Sequence, residues 1–138
     1  MEFDVAILGG GSAGYAAAST AQSYGAKVAI VDPGPLGGLC ILRGCMPTKT
    51  ILRSSDILSL MRRAKEFGLI PVEPVADLAA INDRKNRLIA EFTDYRVKQL
   101  KDSRFTLIQE KPNSFHPTTF GLEPKHLKQA NLLSQPVR

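Results

Sequence analysis

Hydrophobic positions gather in short unbroken runs near the start of the chain and in longer periodic stretches further on. Phe3 to Leu8 (FDVAIL) is an apolar run of strand length, and Lys27 to Val31 (KVAIV) is a second. Such runs, without polar alternation, are what strands covered on both faces look like. Between them Tyr15 to Tyr24 is rich in alanine, as a tightly packed helix would be. Thr50 to Phe67 reads as a helix with Ile51, Leu52, Ile57, Leu58 and Met61 on or near one face and Gly68 as its stop. Pro71 and Pro74 mark a connector. From Val75 or Asp77 to about Lys101, Leu78, Ile81, Leu88, Ile89, Phe92 and Leu100 recur at helical spacing, and Arg104 to Gln109 (RFTLIQ) has strand character again. The pattern predicts an α/β fold.

The link between the first strand and the alanine-rich helix is Gly9-Gly10-Gly11-Ser12-Ala13-Gly14, a GxGxxG spacing with glycines at 9, 11 and 14. In a Rossmann-like βαβ unit the first glycine permits the sharp turn, the second lets a pyrophosphate approach the backbone, and the third lets helix and strand pack closely. The phosphates then meet free N–H groups and the positive end of the helix dipole. Asp32 ends the second strand 18 residues past Gly14. A carboxylate there accepts hydrogen bonds from a ribose 2′-OH and disfavours a 2′-phosphate, so NADP is not expected at this site. Gly9, Gly11, Ser12, Ala13, Gly14 and Asp32 are the candidate cofactor-binding residues. The fingerprint alone does not separate FAD from NAD.

One βαβ unit downstream, Cys40 and Cys45 stand in Gly37-Gly38-Leu39-Cys40-Ile41-Leu42-Arg43-Gly44-Cys45-Met46-Pro47-Thr48-Lys49. They are the only cysteines of the chain, and its two histidines, His116 and His126, lie far away in sequence. A structural zinc site with four Cys or His ligands is therefore not expected, and no metal is assigned. The start of the chain does not read as a signal peptide, since Glu2 and Asp4 interrupt it. The expected location is the cytoplasm, where a close cysteine pair is more often redox-active than structural. In a regular helix positions i and i+5 have Cα atoms about 8.6 Å apart, beyond the ~7 Å limit for a disulfide. A bridge between them therefore requires non-helical backbone, which Gly44 can supply. If Cys45 opens a helix with Pro47 in its first turn, the helix dipole and a cation such as Lys49 would draw it towards the thiolate.

Taken together, GGGSAG at 9–14, Asp32 and GGLCILRGCMPTK at 37–49 resemble the class I pyridine nucleotide-disulfide oxidoreductases, the family of dihydrolipoamide dehydrogenase, glutathione reductase and mercuric reductase. The stretch RLIAEFTDYRVKQL at 87–100 looks like the second helix of the same FAD domain. The resemblance implies an FAD-binding βαβ unit with two further helices, an incomplete domain, with Gly38 and Lys49 beside the flavin as well. It implies that NAD(P)H reduces the flavin and the flavin reduces the Cys40/Cys45 disulfide. Cys40 would be the interchange thiol and Cys45 the thiolate against the flavin, with a disulfide or metal ion as substrate and a homodimer as the full-length assembly. Asp32 stands where glutamate is more usual, and Thr48 where serine is frequent.

Composition changes this picture little. The 138 residues are 43% hydrophobic and 22% charged, enough for one globular domain, and no stretch reads as a membrane span. A net charge of +5 raises the question of nucleic acid. Basic residues of the 83–104 segment alternate with Asp83, Glu91, Asp94 and Asp102, as on a solvated helix face, and no basic stripe with interleaved aromatics is present, so nucleic-acid binding is not expected.

Residues 1–110 read as the N-terminal part of an FAD domain, and 111–138 as an atypical tail. The tail has four prolines, little periodicity and no second fingerprint. Asn131 to Arg138 can be encoded by AAY TTA TTA TCG CAA CCG GTT CGN, and reading from the third base of the first codon gives Phe or Leu, then Ile-Ile-Ala-Thr-Gly-Ser, where the resemblance implies a strand ending in Ala-Thr-Gly-Ser. A frameshift near Glu110, with a poorly ordered tail, is the expectation. His116 and His126 fall in this tail and are not assigned a catalytic role. Three functional readings follow: an FAD-dependent disulfide oxidoreductase module, a non-catalytic truncated remnant of one, or a small nucleotide-binding thiol redox sensor.

Overall fold

A computed structural model describes residues 2–111, 115–116, 119–120 and 131–133. Strand β1 (Val5–Leu8) leads through the glycine turn into helix α1 (Ser12–Ser23), and the chain returns as β2 (Val28–Val31). Two helices follow in quick succession, α2 (Gly38–Leu42) and α3 (Cys45–Arg62), and then a 3-10 turn at Ala64–Phe67. A long helix α4 (Leu78–Leu100) and strand β3 (Thr106–Ile108) come next. Three short strands lie beyond: β4 (Phe115–His116), β5 (Thr119–Phe120) and β6 (Asn131–Leu133).

The main sheet has the order β3-β2-β1-β6, and every pairing in it is parallel. Val5 pairs with Val28 and Leu8 with Val31, while Ala29 to Val31 pair onward with Thr106 to Ile108. β4 and β5 form a separate antiparallel pair. All four residues of β2 are buried, which is why that segment is apolar without alternation. Around it Ile7, Ala18, Val28, Ile30, Leu36, Leu100 and Phe105 make the core. Ala18 is small because α1 lies close to the sheet there, and Gly14 is smaller still for the same reason. A Cβ on Gly14 would overlap the Gly9 carbonyl oxygen. This is the incomplete Rossmann-like unit that the sequence implies.

The helices differ from expectation in detail. α1 begins at Ser12, directly on the glycine turn, rather than at Tyr15, because Gly11 serves as its N-cap. The helix after the cysteines is α-helical only to Arg62 and tightens into the 3-10 turn before Gly68 stops it in the left-handed conformation, φ 73°. Asp77 caps α4, its Oδ1 accepting the Ala80 N–H at 3.0 Å. The apolar face read on α3 is not covered: no α3 residue is buried, and Ile51, Ile57 and Met61 line an open groove of about 520 Å³ with Leu78 and Ile81 of α4. No helix among the described residues is long and apolar enough to cross a membrane. In the tail, β6 pairs with β1 from Val5–Asn131 to Ile7–Leu133, whereas His126 lies outside the described residues.

Candidate functional site

β1 delivers the chain to the end of the sheet, and Gly9 turns it there with φ 91° while its N–H donates to the Val31 carbonyl at 2.8 Å. That φ is open to glycine and strained for other residues. Gly11 caps α1 without a side chain, and Ser12 and Ala13 follow as exposed first-turn residues. The N–H groups of a helix's first turn have no partner within the helix. A diphosphate at this turn would therefore meet free donors and the positive end of the dipole.

Asp32, at the end of β2, is tied to both neighbouring loops. Its Oδ2 accepts the Gly10 N–H at 2.6 Å, and its Oδ1 accepts the Gly34 N–H at 2.8 Å. Neither Gly10 nor Gly34 is among the candidate residues that the sequence pattern singles out. The carboxylate thus fixes the glycine turn against the loop after β2 and keeps lone pairs available for a ribose hydroxyl.

The cysteine segment lies on this turn. A Cβ on Gly38 would fall 2.6 Å from the Gly11 Cα, and Gly38 itself has φ 74°. Two glycines make this contact possible, and through it α2 starts at the start of α1. α2 carries Cys40 in its middle and ends at Leu42; Arg43 and Gly44, the latter at φ −119° and ψ −110°, break the helix before Cys45 opens α3. The break falls where the disulfide geometry requires non-helical backbone. Both cysteines are free thiols here, Cys40 partly buried and Cys45 exposed.

The two sulfurs act on one another. The Cys40 thiol is pushed up from its ordinary value, first by its hydrogen bond with Cys45, then by burial and by the charge Cys45 can carry. The Cys45 backbone N–H and the Arg96 guanidinium pull in the opposite direction. Cys40 therefore holds its proton more tightly than an unperturbed thiol does. The cation felt at Cys40 is Arg96, which sequence spacing did not single out; Lys49 is exposed on α3.

Arg96 reaches this place because α4 crosses the glycine turn. Leu100 Cδ1 lies 2.9 Å from where a Gly10 Cβ would be, and one helical turn earlier the Arg96 guanidinium sits 4.5 Å from the centre of the Tyr15 ring. Tyr15 in turn meets Phe105 edge to face at 6.0 Å. Among the described residues no group of three or more His, Cys, Asp or Glu side chains could hold a metal ion.

The sequence pattern of the pyridine nucleotide-disulphide oxidoreductases matches residues 3–120. The chain belongs to this family. It is similar to a dihydrolipoyl dehydrogenase of Bacillus subtilis, 39% identical over 107 residues that make up 76% of this chain and 23% of that protein. A mercuric reductase of Lysinibacillus sphaericus is 35% identical over 108 residues, 78% of this chain and 20% of that protein. A mercuric reductase of Staphylococcus aureus is 30% identical over 133 residues, 96% of this chain and 24% of that protein. The chain thus spans about a quarter of the length of these relatives.

Proposed function

We propose that this chain is the FAD-binding and disulfide-bearing module of an NAD(P)H-dependent disulfide oxidoreductase. The observation that carries the proposal is the contact of Gly38 with Gly11, which sets a cysteine pair at the mouth of a dinucleotide turn. The residues present fit the cofactor: a Cβ would fill the space at Gly38, the α1 N-terminus offers free donors, and Asp32 at the end of β2 has lone pairs left for a ribose hydroxyl.

When bound, FAD would supply two electrons at a time. Gly9, Gly11, Ser12, Ala13 and Gly14 would hold the diphosphate, Asp32 the ribose, and Gly38 and Lys49 would lie beside the ring system. On the protein side, an oxidised Cys40–Cys45 bridge takes up two electrons and two protons, and the S–S bond opens to two thiols. Cys40, the interchange thiol by the family resemblance, would deliver the pair's electrons to a disulfide or metal-ion substrate. The experiment is a flavin titration of the purified chain: quenching of FAD fluorescence that is lost in Gly38→Val supports the reading, and unquenched FAD at equimolar protein removes it.

Nearness of the two thiols also suits a second reading, a thiol redox sensor without flavin. Oxidant-driven loss of both thiols at the same rate with and without FAD would favour that reading.

A further inference from the structure

The surface formed by α3 and the connector after it is apolar well beyond the ordinary. Of the fifteen large hydrophobic residues exposed among the described residues, eleven lie between Ile51 and Leu78, with Ile70 90% exposed and Val75 95%. They are not scattered. The groove of about 520 Å³ between α3 and α4 meets a second of about 430 Å³ walled by Leu60, Phe67, Leu69, Ile70 and Val72, and Met61 lines both. The face therefore runs without a break from the end of α3, over the 3-10 turn and the 69–76 connector, to the first turn of α4. Ten large side chains on it are 38% to 95% exposed. Lone exposed apolar side chains are ordinary, but a contiguous patch beyond a few hundred Å² marks an interface. A stable complex covers about 800 Å² on each partner, and ten side chains of this size offer an area of that order.

The charges of the face say what kind of partner fits it. Along the larger groove the charged residues are Asp77 and Arg84, one of each sign, and the second groove is lined by none. A face with no surplus charge suits neither an anionic membrane, which calls for Lys and Arg beside the apolar side chains, nor a charged peptide. Asp77 and Arg84 are about two helical turns apart and so lie on one side of α4. Neither joins an ion pair among the described residues. Asp77 Oδ1 accepts the Ala80 N–H, and Arg84 Nη1 donates to the Thr50 carbonyl at 3.2 Å, which leaves each group with further capacity. Opposite charges spaced along one apolar face are self-complementary: a two-fold axis between them sets Asp77 of each copy against Arg84 of the other.

We infer that this face binds a second copy of the chain, the α3–α4 hairpins of the two copies packing across a two-fold axis. α3 and α4 run antiparallel, since Arg84 meets Thr50 while Leu78 shares the groove with Ile57 and Met61. Two such hairpins laid on their apolar faces give a four-helix core, which buries the side chains that one copy leaves in water. No residue of the glycine turn or of the 37–49 segment lines either groove, so the inference stands or falls apart from the flavin reading.

Sedimentation equilibrium of the full chain over a range of concentrations tests this. The expected result is a dimer with a dissociation constant of about 1 μM or tighter. Ile57→Glu sets a charge in the wall of the groove at a half-exposed position and weakens the dimer about a hundredfold or more. Arg84→Glu sets two acids against one another and weakens it about tenfold. A wild-type chain that stays monomeric overturns the inference and leaves the face to a different partner. A dimer unchanged by Ile57→Glu overturns it by placing the contact elsewhere, and one unchanged by Arg84→Glu overturns the two-fold arrangement. Open-ended association beyond the dimer overturns it too, because a two-fold contact closes at two copies. Should the variants fail to fold, hydrogen exchange of the wild-type chain decides the matter. Amides of 57–61 and 78–81 lose protection on dilution below the dissociation constant if this face is the contact, and exchange there that is independent of dilution rejects it.

Discussion

Gly38 and Gly11 touch backbone to backbone, and this one contact joins the cysteine helix to the dinucleotide turn. A Cβ at position 38 would meet the Gly11 Cα at 2.6 Å, with φ at 74° adding strain for any L side chain. Gly38→Ala is therefore expected to cost about 1–3 kcal/mol, from overpacking and backbone strain together. Thermal denaturation of the two proteins measures it, and an unchanged melting temperature would mean that the two segments are free to separate.

Asp32 holds two loops through part-buried hydrogen bonds to Gly10 and Gly34. Asp32→Ala leaves two backbone N–H groups without their acceptor, and the loss expected is about 1–3 kcal/mol per unsatisfied group where water cannot replace it. Denaturant unfolding reads the loss, and Asp32→Asn, which keeps one acceptor oxygen, falls between the two.

The thiol pair has a pH signature. The Cys40 thiol is raised above its ordinary value of 9.0, chiefly by the hydrogen bond with Cys45. A group that binds its proton more tightly in the folded state stabilises that state below its unfolded value, and the contribution is lost as the pH climbs through the higher folded value. Stability therefore falls above about pH 9 in the wild type, and Cys45→Ala flattens this part of the profile. Alkylation of Cys40, followed by mass spectrometry between pH 7 and 10, checks the same point. Cys40 reacts faster at a given pH in Cys45→Ala than in the wild type, and identical rates would remove Cys45 as the cause.

Helix α4 depends on its cap. Asp77 accepts the Ala80 N–H, and Asp77→Ala is expected to cost about 1 kcal/mol of stability. The cap lies at the opposite end of α4 from Leu100, which packs on the glycine turn, so FAD affinity measured on the folded protein stays as in the wild type.

The tail invites a test at the level of the gene. We propose that residues after Glu110 are read in a shifted frame, and the coding DNA for Asn131 to Arg138 then contains TTA TTA TCG CAA CCG GTT. Codons with T at the second position encode apolar residues, so Leu132 and Leu133 in one frame and isoleucines in the other are alike in character. That would leave an apolar run beside β1 in either frame. Other codons at these positions remove the proposal.

Much of this site lies close together in the sequence, and that part was legible there. The β1–α1–β2 order, the terminal acid and the helix break at Gly44 all follow from local spacing. What was not legible depends on where α4 docks. Arg96 reads in sequence as one more basic residue on a charged helix, and only the contacts of Leu100 with Gly10 and of Arg96 with Tyr15 bring it to the site. Gly10 and Gly34 leave no trace in the sequence because their part is played by backbone N–H groups, which carry no side-chain signal. The apolar residues of α3 show amphipathic periodicity, yet a period reveals only that a face is apolar and not whether this stretch of chain covers it.

The central claim is that a bound flavin lies against the Cys40–Cys45 pair, and the absorbance spectrum of the FAD-loaded chain after reduction of the disulfide tests it most directly. The expected result is a long-wavelength band that disappears in Cys45→Ser and persists in Cys40→Ser. A wild-type spectrum identical to that of Cys45→Ser, with FAD bound in both, would contradict it.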